Sequence, residues 1–146
     1  MKTILVIFLL VLLSACGNHN GSSGTNTDTK FLPVEKAFQF SSQQIDPTTL
    51  KLNWKIAEGY HLYKTKFQFS LKPETARIVD IALPKGVMLD DKTFGRQEVY
   101  QQGVSVTVKI KPGSAKESVQ LEAKYQGCSE KGLCYPPQTQ VVNINR

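Results

Sequence analysis

Along residues 50–56 the chain alternates strictly, with apolar Leu50, Leu52, Trp54 and Ile56 separated by polar Lys51, Asn53 and Lys55. Successive side chains of an extended strand point to opposite faces, so this pattern predicts a strand with one buried face. The same period of two recurs over residues 67–71, 104–110 and 119–125. A last run over 140–144 places Val142 and Ile144 on one face. Turn-forming residues separate the runs: Glu58-Gly59, Lys72-Pro73, Pro84-Lys85-Gly86 and Lys111-Pro112-Gly113-Ser114. Residues 34–38 and 73–76 alone suit a short helical turn. Many short, half-buried strands with regular punctuation predict an all-β, antiparallel sandwich of two sheets. The absence of any long stretch at period 3.6 excludes a helical bundle. Trp54, Phe67 and Phe69 are expected in the core.

The N-terminus sets the compartment. Lys2 is followed by an apolar run over residues 4–13 and then by Leu13-Ser14-Ala15-Cys16. This is the layout of a secretory signal peptide, and the run is shorter than the roughly 20 residues a membrane-spanning helix needs. Leu-Ser-Ala-Cys also resembles a bacterial lipobox, which implies cleavage before Cys16 and lipid attachment to its thiol. Each buried methylene of such a lipid adds about 0.8 kcal/mol of membrane affinity. The expected organisation is a signal peptide over 1–15, a lipidated N-terminus and tether over 16–30, and one folded domain over 31–146. Residues 17–30 offer no apolar side chain to a core and read as a flexible tether reaching roughly 20 Å on average. His19 is read as a polar residue of that tether.

Charge adds little. One of the 18 basic residues, Lys2, lies in 1–15, which leaves 17 against 12 acidic residues, a formal +5. The lysines are scattered singly rather than clustered with aromatics, so no nucleic-acid footprint is present.

The cysteines carry the candidate chemistry. With Cys16 assigned to lipid, the remaining two of the chain's 3 cysteines stand in Cys128-Ser129-Glu130-Lys131-Gly132-Leu133-Cys134. Two cysteines this close outside the cytoplasm are expected to form a disulfide. One strand ends at Tyr125 and the next begins near Gln138, so the pair should face across a hairpin-like loop. Gly127 and Gly132 are expected to supply the backbone freedom for it. As a staple, a loop of about seven residues contributes roughly 2–2.5 kcal/mol to a net stability of order 5–15 kcal/mol. A domain that survives without its staple also suits redox cycling, and spacing alone leaves both readings open.

The surrounding residues point further. The segment Tyr125-Gln126-Gly127-Cys128-Ser129-Glu130-Lys131-Gly132-Leu133-Cys134-Tyr135-Pro136-Pro137 closely resembles the active-site segment of the N-terminal domain in the DsbD family of thiol:disulfide interchange proteins. The resemblance continues through Gly59-Tyr60-His61-Leu62-Tyr63-Lys64, Leu83-Pro84-Lys85-Gly86-Val87 and Phe94-Gly95-Arg96-Gln97-Glu98-Val99-Tyr100, and covers nearly all of 31–146. It implies an immunoglobulin-like sandwich. It also implies that Cys134 is the accessible cysteine that forms mixed disulfides, with Cys128 resolving them by thiolate attack. Asp91 matches a family carboxylate near the pair, and Tyr63 matches an aromatic beside it. Tyr135 is a further candidate for tuning the site, and Lys131 in the loop reads first as a solvated lysine whose charge would otherwise favour a thiolate.

A cap loop is expected at Asp91-Lys92-Thr93-Phe94-Gly95, with Phe94 as its remaining aromatic. The chain departs from the family at Thr93, where an aromatic is familiar, at Lys92, where an acid is familiar, and at His61, where a tyrosine is familiar. A full-length relative continues into membrane-embedded and thioredoxin-like domains, so this chain reads as a detached, substrate-facing module. The resemblance implies electrons from the thioredoxin-like domain of a membrane thiol reductase. Oxidised periplasmic thiol–disulfide proteins, such as an isomerase or a cytochrome-maturation thioredoxin, would be the targets. The expected location faces the periplasm, lipid-anchored to a bacterial membrane, with Gly17-Asn18 after the lipidated cysteine favouring the outer membrane. No cofactor is implied, and no metal, since the spacing of Cys128, Cys134 and His61 fits no metal motif. The competing reading is a non-catalytic, immunoglobulin-like binding lipoprotein stapled by the disulfide.

Overall fold

The computed structural model describes residues 31–113 and 118–145, so the expected signal peptide, Cys16 and the tether lie outside the described residues. A one-turn helix α1 (Val34–Ala37) leads into β1 (Phe38–Asp46), β2 (Thr49–Ile56) and β3 (Tyr60–Tyr63). A 3-10 turn (Lys64–Lys66) then precedes β4 (Gln68–Lys72), β5 (Arg77–Ala82), β6 (Val87–Asp91) and β7 (Gly95–Tyr100). The chain ends through β8 (Gly103–Lys111), β9 (Val119–Tyr125), β10 (Gly127–Ser129) and β11 (Gln138–Ile144).

The strands form three antiparallel sheets, in the orders β1-β2-β8-β5, β11-β9-β4 and β10-β3-β7-β6. The first two make the sandwich. Alternation delivers their inner faces: Leu50, Leu52, Trp54 and Ile56 from β2, Val104, Val106, Val108 and Ile110 from β8, and Val119, Leu121, Ala123 and Tyr125 from β9. Trp54 lies at the centre, its ring 5.0 Å from those of Phe40 and Phe67 and 5.5 Å from that of Tyr125. Phe67 is buried as expected, whereas Phe69 is half-buried and stacks on it at 6.1 Å.

The third sheet grows out of the second. The chain of β9 continues through Gln126 into β10, and that of β3 continues through the 3-10 turn into β4. β9 pairs with β4 and β10 pairs with β3, so the four strands form one bent ribbon. The three residues Lys64–Lys66 are the excess on one side of it. The Tyr63 amide donates to the Gln126 carbonyl at 3.1 Å across the bend.

Of the two suggested helical turns, 34–37 is helical. Residues 73–76 form a simple turn closed by the Ala76 amide on the Pro73 carbonyl at 3.1 Å. Too few residues separate that proline from β5 for a helix to propagate.

Candidate functional site

β10 is a three-residue strand pressed onto β3, with Gly127 opposite Leu62, Cys128 opposite His61 and Ser129 opposite Tyr60. The approach is closer than a side chain permits: a Cβ on Gly127 would lie 2.5 Å from the His61 carbonyl oxygen and 2.5 Å from Phe38 Cζ. Gly127 therefore serves by leaving space. The expectation of conformational freedom holds for Gly132 alone of the two, with φ +97° in open surroundings. A tight turn reverses the chain, with the Gly132 amide on the Ser129 carbonyl at 2.9 Å and the Ser129 amide on the Leu133 carbonyl at 2.7 Å. Cys134 thus returns opposite Cys128, and the two form a disulfide with Cα atoms 4.0 Å apart. The loop is pinned where it leaves. Tyr135 packs edge-on against Phe38 at 5.6 Å and its hydroxyl donates to the Leu32 carbonyl. Tyr135, a candidate for tuning the pair, is placed in the main core and anchors the loop from there.

The pair sits over a second, smaller apolar cluster made by Tyr63, Val99 and Cys128, with Leu89 and Cys134 packed against it. The two sulfurs differ in access: Cys128 is 1% exposed and Cys134 is half-buried. Tyr63 connects the cluster to a carboxylate. Its hydroxyl donates to Asp91 Oδ2 at 2.9 Å and its oxygen lies 3.1 Å from Cys128 Sγ. The hydroxyl has one proton and the carboxylate is the far stronger acceptor, so the proton goes to Asp91 and the oxygen stays available to a Cys128 thiol. Asp91 Oδ1 accepts the amides of Thr93 at 2.7 Å and Phe94 at 2.8 Å, the local turn an aspartate favours. Burial, the largest single influence, pushes the Asp91 carboxyl up, but these hydrogen bonds and the nearby His61 together hold it below the usual carboxylate range. Burial first, then the Asp91 hydrogen bond and charge, raise the Tyr63 hydroxyl far above the phenol range.

The cap loop brings two residues toward the pair. Phe94 packs edge-on to Tyr63, with ring centres 5.2 Å apart, and Lys66 Nζ lies 4.8 Å from the Phe94 ring centre. Thr93 reaches the outer sulfur, its Oγ1 3.9 Å from Cys134 Sγ. A cavity of about 110 Å³ lies alongside, lined by His61, Asp91, Lys92, Thr93, Cys128 and Cys134 among others. Lys131 is exposed at the loop tip. Val99 and Leu89 escaped sequence reading because β6 and β7 show no clean alternation that would mark them as packing residues. Among the described residues no three His, Cys, Asp or Glu side chains are grouped to hold a metal ion.

Asp91 also makes stability depend on pH. Its carboxyl is held below its unfolded value, so its contribution is present above about pH 4 and is lost as pH falls through the folded value. Asp91→Asn is expected to flatten the acid limb of a urea-stability profile. An unchanged acid limb in the variant would refute this placement of the charge.

The family model described as "Thiol:disulfide interchange protein DsbD, N-terminal" matches residues 28–146. The chain belongs to the DsbD N-terminal domain family. The DsbD proteins of Pseudomonas sp. (strain JR1 / K1) and Escherichia coli (strain K12) are 37% and 35% identical to it over 140 residues. These alignments cover 96% of the chain but 23% and 24% of the relatives, so it spans about a quarter of their length. The reduced DsbD N-terminal domain of Neisseria meningitidis superposes with a TM-score of 0.70 at 31% identity, covering 80% of this chain and 90% of that one. The same Neisseria domain in complex with the PilB N-terminal domain gives a TM-score of 0.65 at 30% identity, covering 79% and 88%. The fold is thus the immunoglobulin-like sandwich of the DsbD N-terminal domain, and the Cys128–Cys134 pair stands in a thiol:disulfide interchange family. No helix among the described residues is long and apolar enough to cross a membrane.

Proposed function

We propose that the chain exchanges disulfides through Cys128 and Cys134, relaying electrons from the thioredoxin-like domain of a membrane thiol reductase to oxidised periplasmic thiol–disulfide proteins. One observation carries the reading: a buried cysteine and a half-buried one are joined on a loop that stands on its own small cluster. The pair can then open without emptying the sandwich core. Attack by an incoming thiolate is directed to Cys134 by access, and Cys128 is sheltered to act as the leaving and resolving sulfur. In this role Cys134 and Cys128 are catalytic, Asp91, Tyr63 and His61 tune them, and Phe94 braces the cap through Tyr63. That a relative was solved with another protein's N-terminal domain supports a protein partner. The proposed setting is periplasm-facing and lipid-anchored through Cys16 at a bacterial membrane, the outer one by preference. Residues 1–15 would be the signal peptide, 16–30 the tether and 31–146 the exchanging domain.

The test is trapping. Cys128→Ala, offered an oxidised thioredoxin-like partner after reduction, is expected to accumulate a mixed disulfide through Cys134. Cys134→Ala is expected to accumulate little, because Cys128 is 1% exposed. No adduct with either variant, together with a reduction potential below about −300 mV, would leave the disulfide as a staple in a binding lipoprotein.

Opening the pair should be tolerated. Urea unfolding of reduced against oxidised chain is expected to show a loss of roughly 2–2.5 kcal/mol, with folded reduced protein still populated. Unfolding on reduction alone would remove the basis for cycling.

A further inference from the structure

We propose that His61 takes up a proton when the Cys128–Cys134 disulfide opens and returns it when the disulfide closes, so that the buried Cys128 sulfur never stands as an uncompensated anion. The inference rests on the pair cycling as proposed above, and it assigns His61 as a positioning residue for the Cys128 charge.

His61 is 1% exposed, and neither ring nitrogen has a hydrogen-bond partner among the described residues. Polar groups this deeply buried are nearly always satisfied, so the ring's loose 3.5 Å contact with the Asp91 carboxylate leaves it room to gain a partner. The fold places it facing the chemistry. His61 and Cys128 are directly opposed across the β3–β10 ladder, and such partners project from the same face with Cβ atoms about 4.5–5.5 Å apart. The ring stands edge-on to Tyr63 at 4.9 Å, and its Nε2 is 3.5 Å from Asp91 Oδ2. The cavity beside the disulfide is lined by His61 as well as by both cysteines, which gives water a route between them.

The charges around the ring come from every neighbouring element. β6 contributes Asp91 and Asp90, the following turn Lys92, β3 the Tyr63 hydroxyl, and the cysteine loop Glu130. With the disulfide closed, burial outweighs the pull of Asp91 and Glu130 and holds the imidazole below its usual range, hence neutral. Opening changes the balance by one charge. A partner thiolate attacks Cys134 Sγ, forming the mixed disulfide, and the Cys128–Cys134 bond breaks with its electron pair on Cys128 Sγ. An anion then faces His61, and an opposite charge at this range favours the protonated ring by about 1–3 pH units. The ring binds a proton from solvent and the two charges compensate. The partner's second thiolate next attacks its own sulfur in the mixed disulfide and releases Cys134 as a thiolate, which takes a proton from water. The partner leaves oxidised and the pair is reduced. Closing runs in reverse, with the thiolate of Cys128 displacing the partner from Cys134 and His61 losing its proton.

Imidazole NMR titrations of the full-length chain, oxidised and then reduced with excess dithiothreitol, test the coupling directly. The His61 midpoint is expected to rise by about one unit or more on reduction. His19 is the other of the 2 histidines, so its signal must be told apart from that of His61. His61→Gln identifies the signal by its loss. It should also remove the matching inflection from the pH profile of iodoacetamide alkylation of the reduced pair, a readout that a merely structural histidine would leave unmoved. An identical His61 midpoint in both redox states overturns the inference. The coupling and the relay fail separately. Trapping through Cys134 with no midpoint shift sinks the coupling alone, and a shift without trapping supports the coupling and sinks the relay.

Discussion

Trp54→Ala is expected to cost about 3–5 kcal/mol of folding stability, the range for truncating a large aromatic in a packed core. The side chain is 2% exposed and meets the rings of Phe40, Phe67 and Tyr125, so no single neighbour can collapse into the space it leaves. Against a total of order 5–15 kcal/mol, that is enough to leave a substantial unfolded fraction. Urea unfolding followed by circular dichroism checks it: the midpoint should fall with the slope unchanged. Its Nε1–H has no hydrogen-bond partner among the described residues, so Trp54→Phe loses volume but also relieves an unpaired donor. The phenylalanine variant should therefore be clearly more stable than the alanine one. A cost below about 1 kcal/mol for Trp54→Ala would mean that the sandwich is packed elsewhere.

Gly127→Ala is expected to be the most damaging change near the pair, at about 1–3 kcal/mol or more. The added methyl meets Phe38 Cζ at 2.5 Å and Leu62 Cδ2 at 2.7 Å, which can yield, but also the His61 carbonyl oxygen at 2.5 Å, which is fixed in the strand. Relief requires β10 to lift from β3, and that carries Cys128 away from His61 and Tyr63. Gly132→Ala is the control, because it meets nothing within 4 Å and is strained only by its positive φ. The alanine at 127 should therefore alter the alkylation rate of the reduced pair, while that at 132 should chiefly lower stability. Equal alkylation rates for wild type and Gly127→Ala would show that β10 absorbs the methyl in place.

The sandwich was legible where strands have one wet face. The predicted runs of β2, β8 and β9 bury the residues expected of them. Strands of the other kinds left little trace. β3 is buried along its whole length and so shows no alternation, while β1 beyond Phe40 is almost wholly polar and is held by its ladder to β2. The disulfide was readable from cysteine count and compartment, and Tyr63 and Asp91 from the resemblance. The contact made by Thr93 was not. That Thr93 reaches the sulfur depends on how the Asp91 turn directs successive side chains, which the string of residues does not encode. The role of Gly127 was misread for a similar reason, since close approach is a tertiary fact and positive φ a local one.

The 3-10 turn Lys64–Lys66 does more than bend a ribbon. Three is an odd number, and strand side chains alternate with period two, so the insertion reverses which residues face inward. On β4 and just before it, odd-numbered Phe67, Phe69 and Leu71 pack toward the sandwich, whereas on β3 even-numbered Tyr60 and Leu62 do. His61 and Tyr63 are thereby turned outward onto the face that carries Cys128. Straightening the same three residues into plain strand would put His61 and Tyr63 on the inner face with Phe67, burying them in the sandwich and stranding the disulfide without its neighbours. Deleting one residue would instead bring Leu62 and Phe67 into even spacing and leave His61 and Tyr63 facing out.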